Sequence, residues 1–386
     1  MAESRARFKT DDEYNYPAWK SVNMSDVCEF VRNGFNYNSD GIRTHKNKIT
    51  RIETISSGTI NLEKLGSTDD DIPDRYLMKD GDILFSHINS LPYLGNAALF
   101  NSRFGKIYHG MNLLCIRPNT KKILPYYLFL YLQTSKIRNW VLQNAKRAVN
   151  QCSIPASEIE NMPVIVPCIE EQQKISKFLL TVDEITTASE KEVANLEAQK
   201  KAVMKKIFSQ EVRFKRTDGS DFPEWKAIQI SDMLTICHGK DYKHLGTGDI
   251  PVMGTGGVIT YVNKSLCDWE CVCIGRKGTI DRPYYMDKPF WSVDTLFYSK
   301  PKEGFLPKYQ FYIFQNINWK LYNEATGVPS LSASTIEKIG IRVACLEEQR
   351  LIADFLSDFD EAIAAAKKEL ELWKELKKGL LQQMFV

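Results

Sequence analysis

Glu170-Glu171-Gln172-Gln173 heads a stretch that closes on Ile207-Phe208, and Glu347-Glu348-Gln349-Arg350 heads another that closes on Met384-Phe385. The offset between them is 177 residues. It carries Phe178-Leu179 to Phe355-Leu356, Asp183-Glu184 to Asp360-Glu361 and Lys200-Lys201 to Lys377-Lys378. A second echo runs ahead of the first at an offset of 206, where Pro17-Ala18-Trp19-Lys20 with Ser25-Asp26 matches Pro223-Glu224-Trp225-Lys226 with Ser231-Asp232. The chain is therefore a duplicated unit of globular region plus long helix, its first globular region longer by 29 residues. A period this long means two copies of one module rather than a solenoid, and two modules on one chain point to a two-part target.

Both helical stretches carry a heptad seam. One position reads Ile175, Val182, Ser189, Leu196, Val203 and, in the second copy, Ile352, Phe359, Ala366, Trp373, Leu380. The other reads Leu179, Thr186, Val193, Lys200, Ile207 and Leu356, Ile363, Leu370, Lys377, Met384. Five heptads without Gly or Pro before Gly379 predict coiled-coil helices, each spanning roughly 60 Å at about 1.5 Å per residue. Each stretch starts acidic (Glu170, Glu171; Glu347, Glu348) and ends basic (Lys205, Lys206; Lys377, Lys378), which suits its own dipole. An antiparallel pair sets acidic starts against basic ends, and it lets the second globular region leave one helix end and enter the neighbouring helix start.

Composition narrows the class. With 43% hydrophobic and 26% charged residues, 386 residues are ordinary for two or three folded domains. No apolar run approaches the roughly 18 residues of a membrane span, and Met-Ala-Glu-Ser-Arg-Ala-Arg lacks the apolar core of a signal peptide, so a cytoplasmic protein without membrane attachment is expected. Nine scattered cysteines do not form a disulfide framework. Outside the helical stretches 38 basic residues face 32 acidic ones, so the globular parts carry a net charge of +6 against +3 for the whole chain, a lean towards polyanions.

The globular regions read as mixed α/β with many short strands. Lys79-Asp80-Gly81-Asp82 is a turn into Ile83-Leu84-Phe85, and Cys271-Val272-Cys273-Ile274 is a strand into the turn Gly275-Arg276-Lys277-Gly278. Residues 124–132 and 306–314 match as short helices, each opened by a proline. Residues 1–15 are polar and unpatterned, and are expected to be a flexible segment.

Catalytic constellations are absent from the sequence. Asp281-Arg282-Pro283-Tyr284 departs from the amino-methyltransferase pattern by placing Arg where the first proline belongs, and Gly254-Thr255-Gly256-Gly257 lacks the strand-to-helix context of a cofactor turn. Glu224-Trp225-Lys226 has the outline of a nuclease motif, but its copy reads Ala18-Trp19-Lys20; a packing role for the tryptophan explains both. Cys267, Cys271 and Cys273 give no four-ligand zinc spacing, and no Gly-x-Ser-x-Gly elbow occurs.

Two variable regions, each introduced by an aromatic-Pro-x-Trp-Lys segment and followed by an Ile/Leu-Glu-Glu-Gln helix with a Lys-rich, aromatic-closed end, resemble the specificity subunit of type I restriction–modification systems. The most specific parts are Cys168-Ile169-Glu170-Glu171-Gln172-Gln173 with Cys345-Leu346-Glu347-Glu348-Gln349-Arg350, and Gln151-Cys152-Ser153-Ile154 with Val328-Pro329-Ser330-Leu331. The resemblance implies a non-catalytic α+β chain of two target-recognition domains separated by a long antiparallel two-helix coiled coil, with internal pseudo-twofold duplication. It places the first recognition domain at 16–167, its helix at 168–210, the second domain at 211–344 and its helix at 345–386. Implied partners are double-stranded DNA with a split recognition site, two methyltransferase subunits and two restriction subunits where such a subunit is present. No cofactor belongs to this chain; S-adenosylmethionine would serve the methyltransferase, ATP and Mg the restriction subunit. A coiled-coil adaptor whose end modules bind proteins is the alternative.

Four loops combine cations with amide and hydroxyl side chains, the chemistry that holds phosphate and reads base edges. The first stretch, 36–51, supplies Arg43, His45, Lys46, Lys48 and Arg51 against one acid; the second supplies Lys146, Arg147, Asn150 and Gln151. In the second domain the candidates are Lys240, Lys243 and His244, then Arg276, Lys277 and Thr279. Glu171, Gln172, Glu348 and Gln349 are expected on the outer helix faces, as the patch offered to each methyltransferase.

Overall fold

The computed structural model describes residues 6–37, 46–148 and 151–385. The repeated stretches form two long helices, Ile169–Phe208 and Leu346–Met384. Each of the twenty seam positions is buried or half-buried, as a heptad face that meets a partner requires. The chain forms two compact units, one of Met1–Ala188 with Leu370–Val386 and one of Ser189–Glu369. Each unit therefore holds the start of one long helix and the end of the other.

The globular part of the first unit is built on a four-stranded antiparallel sheet in the order Cys28–Asn33, Leu114–Pro118, Ile83–Phe85, Ala97–Leu99. The second unit repeats the order with Leu234–His238, Leu296–Pro301, Cys271–Gly275, Tyr284–Met286. In both, a strand after the Pro-x-Trp segment pairs with the strand that precedes the long helix: Lys20–Asn23 with Pro163–Val166, and Lys226–Gln229 with Gly340–Val343. Gly81, at φ +85°, makes the expected turn into Ile83–Phe85. The expected proline-opened helices are Pro125–Leu132 and Pro307–Asn316.

These short helices seat the long ones. In the first unit Tyr127, Leu128 and Tyr131 share one core with Ile175 and Leu179 of the first long helix and with Leu381, Met384 and Phe385 at the end of the second. In the second unit Tyr309, Tyr312 and Ile313 share a core with Met204 and Ile207 and with Ile352 and Leu356. Helix start thus lies beside helix end within each unit, the antiparallel order expected from charge and connectivity. The two lysines that interrupt the apolar seam find acids there. Lys377 Nζ is 2.6 Å from Asp183, and Lys200 Nζ is 2.5 Å from Asp360.

A tyrosine completes each pair. Tyr126 donates to Asp183 at 2.6 Å, and Tyr312 donates to Asp360 at 2.7 Å. Counted from the opening prolines, the two tyrosines stand four residues apart, about one turn, so they project from the same helix face. Burial, and the carboxylate each phenol donates to, hold both phenols well above their usual range.

The Glu-Gln pair that heads each long helix is buried, contrary to its expected place on an outer, partner-facing surface: Glu171, Gln172 and Glu348 are 0% exposed and Gln349 is 1%. Arg7 grips the Glu171 carboxylate through Nε at 3.0 Å and Nη2 at 2.7 Å, and Trp19 Nε1 donates to it at 2.8 Å. Arg213 and Trp225 hold Glu348 in the same way, at 3.3, 3.0 and 2.9 Å. Gln172 accepts from the Leu124 N–H and donates to the carbonyls of Lys122 and Pro167; Gln349 accepts from Leu306 and donates to Gly304 and Ala344. A buried charge is tolerated only when paired and hydrogen-bonded, and these four side chains are fully occupied in being so.

The N-terminal segment also departs from expectation. Residues 6–15 pack on the first long helix rather than forming a flexible tail: besides the Arg7 contacts, Phe8 meets Phe178 edge-on at 5.8 Å and Lys174 pairs with Asp11 at 2.6 Å. The 206-residue offset in fact begins at Arg7-Phe8-Lys9, repeated as Arg213-Phe214-Lys215. Three residues are too few to show as periodicity, which is why composition alone misled.

Glu348→Ala should strip the half-buried Arg213 and the buried Trp225 of their acceptor and cost about 3–5 kcal/mol in chemical denaturation, whereas Glu348→Met with Arg213→Met should recover the part due to the unpaired guanidinium, the Trp225 N–H still lacking an acceptor. Equal losses in the single and double variants would show that the pair is not what holds the junction.

Candidate nucleic-acid interface

In the second unit the sequence-selected loops converge on one strand end. Lys240 N donates to Ser292 O at 2.7 Å, Trp291 Nε1 donates to Lys240 O at 2.8 Å, and His244 lies edge-on to Trp291. From the other side Arg276 N donates to Thr295 O at 2.8 Å. Residues 275–279 are tightly folded, since a Cβ on Gly275 would lie 2.2 Å from Thr279 O. Segment 328–331 then clamps this loop: Gly278 N donates to Pro329 O, Leu331 N donates to Arg276 O, and Lys277 bridges Ser330. Residues 291–295 thus join Lys240, Lys243, His244, Arg276, Lys277 and Thr279 into one face. Arg276 is half-buried over Phe297, while the other five are exposed. Lys240, Lys243 and Lys277 form no ion pair among the described residues.

The first unit is arranged differently. Lys146 and Arg147 are exposed on a short strand paired with Cys152–Ser153, which in turn pairs with Ile88–Asn89; Gln151 is exposed beside them. Lys48 is exposed on Asn47–Ile49. Lys46 pairs with Asp71 at 3.1 Å, because the pairing of Asn47–Ile49 with Gly66–Thr68 brings in the acids that follow, and Arg51 pairs with its sequence neighbour Glu53 at 3.5 Å. The stretch is therefore less cationic in space than in sequence. Such exposed pairs contribute little, so both cations remain exchangeable for phosphate. Among the described residues no hydrogen bond or ion pair joins 46–51 to 146–151. Arg43, His45 and Asn150 lie outside the described residues.

Sequence reasoning missed a position that the fold repeats. Ile154 N donates to His87 O as Leu331 N donates to Arg276 O, so His87 stands where the second unit has Arg276. Ile154 and Leu331 follow the 177-residue offset, but His87 and Arg276 are 189 apart, so only the strand pairing aligns them. His87 is 5% exposed, and its Nδ1 has no partner among the described residues. His109, also buried, meets the Leu113 carbonyl through Nε2 at 3.0 Å. Burial lowers both imidazoles to about 4. Nearby, Asp82 holds Arg117 in a two-point pair, both bonds 2.7 Å. Among the described residues no cluster of three or more His, Cys, Asp or Glu could hold a metal; Cys267, Cys271 and Cys273 are small buried groups in an apolar cluster. No described helix is long and apolar enough to cross a membrane.

The geometry is that of a duplicated domain with cationic loops. The family described as the type I restriction modification DNA specificity domain matches residues 17–198 and again 223–372, and the chain belongs to that family. It is a non-catalytic specificity subunit. A Methanocaldococcus jannaschii protein assigned as the MjaX specificity subunit of a type I restriction enzyme is 32% identical over 94% of this chain and 92% of its own. The EcoKI specificity subunit of Escherichia coli K12 is 25% identical over 56% of this chain and 46% of its own. Among solved structures, the S subunit of the M. genitalium type I system is similar with a TM-score of 0.65 at 14% identity, covering 100% of this chain and 99% of that one. A chain from a study of complex assembly in a type I system is similar with a TM-score of 0.57 at 17% identity, over 96% and 99%. These two likenesses establish the fold.

The buried histidines make the first unit acid-sensitive. Their folded pKa values, about 4, lie below the ordinary 6.5, so the unfolded chain binds more protons between those limits. Stability is complete above pH 6.5 and falls as pH drops towards 4, by up to about 3 kcal/mol per histidine. Replacing both with glutamine should flatten that part of the pH–stability curve relative to the parent. An unchanged slope in denaturant titrations between pH 6.5 and 4 would refute this.

Proposed function

We propose that this chain reads a split sequence in double-stranded DNA, one half with each repeated domain, and docks two methyltransferase subunits. The observation that carries the proposal is the completeness of the duplication: sheet order, proline-opened helix, Arg–Trp–Glu junction and Tyr–Asp–Lys group all occur twice. A chain that builds the same module twice offers two copies of whatever the module recognises. The family assignment favours DNA over the protein targets of an adaptor. S-adenosylmethionine then belongs to the methyltransferase, and ATP and Mg to any restriction subunit; both subunits would bring their chemistry to a site this chain selects.

In this reading the cationic loops hold phosphate while amide, hydroxyl and guanidinium groups read base edges. The partner patch needs reassignment, because Glu171, Gln172, Glu348 and Gln349 are buried. Phe178 and Phe355, related by the 177-residue offset, are 41% and 37% exposed on the long helices. Each rests edge-on against an N-terminal phenylalanine of its repeat, Phe8 or Phe214. This aromatic pair is the surface offered twice.

Native mass spectrometry should find two methyltransferase copies per chain, one with Phe178→Glu and none with Phe178→Glu plus Phe355→Glu; full occupancy in the double variant would reject this docking patch. Alanine at Lys240, Lys243 and Lys277 should lower the salt slope of DNA binding by about one per lysine. Sequencing of methylated bases in the host should then show only one half of the motif disturbed, and equal disturbance of both halves would argue against one half-site per domain.

A further inference from the structure

The second unit carries an apolar hairpin that the recognition loops do not account for. Ile250–Gly254 and Gly257–Val262 are joined by the two-residue turn Thr255-Gly256, with Gly257 at φ +108°. Gly257–Val262 is an edge strand, yet Val258, Ile259 and Tyr261 are 52%, 53% and 53% exposed. Edge strands are ordinarily blunted by charge or proline, so three exposed apolar side chains on one of them call for an occupant. The pairing jumps from Val252 opposite Thr260 to Met253 opposite Val258, which leaves Ile259 as the unopposed residue of a bulge. Bulges re-aim side chains, and here two consecutive apolar residues reach solvent.

The hairpin is fixed to the face already described. Val252 and Met253 pair in parallel with Trp291 and Ser292, the residues that anchor Lys240. Tyr284 donates to Gly254 O at 2.6 Å, and the Thr255 side chain lies against Gly275 and Gly278 of the Arg276–Lys277 loop. Around it stand Lys240, Lys243, Lys264 and Lys277, exposed and without an ion pair among the described residues. Asp241, Asp249 and Asp294 occupy the same segments, so the four lysines leave the rim with a net charge of +1.

We infer that this hairpin enters the major groove of the DNA half-site read by the second domain, with Val258, Ile259 and Tyr261 against thymine methyls and sugar edges and the four lysines on flanking phosphates. The major groove admits a two-stranded ribbon, and the thymine methyl is the one apolar mark among its base edges. An apolar tip inside a cationic rim matches that surface. The inference rests on the DNA reading above and adds the element and the base feature it recognises.

The test uses the complex with its methyltransferase and duplexes carrying its own motif, with thymine or uracil in the second half-site. The parent should bind the uracil duplex roughly fourfold more weakly for each methyl it contacts, the worth of burying one methyl-sized group. Val258→Thr, Ile259→Thr and Tyr261→Thr together should weaken thymine binding by a similar factor, erase the discrimination and relax only the second half of the motif, with an unchanged melting temperature. A variant that keeps the parent's affinity, discrimination and motif overturns the inference while leaving the DNA reading intact. Loss of methyltransferase from the complex with free-chain DNA binding unchanged also overturns it, making the hairpin a protein contact. Absence of any sequence-dependent binding by the parent would instead sink the DNA reading itself.

Discussion

A carboxylate with no access to water governs how each domain meets its helices. Glu171 and Glu348 head the long helices, where an acid suits the dipole, and both are wholly buried. Such a charge is stable only if donors replace its hydration, and each repeat supplies the same three N–H groups from an arginine and a tryptophan. The arginine also donates to two backbone carbonyls ahead of the tryptophan, Tyr16 and Pro17 or Phe222 and Pro223, so the entering chain is fixed along with the helix. The adjacent glutamine ties the same turn to the proline-opened short helix. Two consecutive residues thereby fix three elements.

The aromatic that closes each long helix finishes the junction from the opposite direction. Phe385 lies 6.5 Å from Trp19 and 5.3 Å from Tyr127, and Phe208 lies 6.2 Å from Trp225 and 6.0 Å from Tyr309. One tryptophan thus touches both the head of one helix, through its N–H, and the tail of the other, through its ring. Seam lysines add selectivity: an amine among apolar residues is costly unless its acid arrives, and only the antiparallel order brings Asp183 to Lys377 and Asp360 to Lys200.

The two domains share a framework but not a surface. His87 occupies the position of Arg276, so a buried neutral ring in one domain stands where the other has a guanidinium. Where the parallel pairing of Ile49 with Tyr108 answers that of Val252 with Trp291, the first domain carries Asn47–Ile49 paired with Gly66–Thr68 and its own acids, whereas the second carries an apolar hairpin. Divergence is concentrated in segments attached to the common sheet, where substitutions leave the core intact and alter what the face can bind.

The sequence by itself determined the duplication, the two long helices, their seam and antiparallel order, and the short helices opened by Pro125 and Pro307. The helices and their seam rest on local periodicity, the duplication on matching segments 177 and 206 residues apart, and the antiparallel order on charge along each helix together with chain connectivity, all of which are written in the linear sequence. It also singled out loops in the second domain that do assemble. Tertiary structure alone decided that Glu171 and Gln172 are interior, that residues 6–15 are docked, that Lys46 meets Asp71 and that His87 answers Arg276. Arg7 and Glu171 are 164 residues apart. Whether a polar side chain faces solvent or a partner depends on which distant segment the fold brings against it, and no local pattern carries that information.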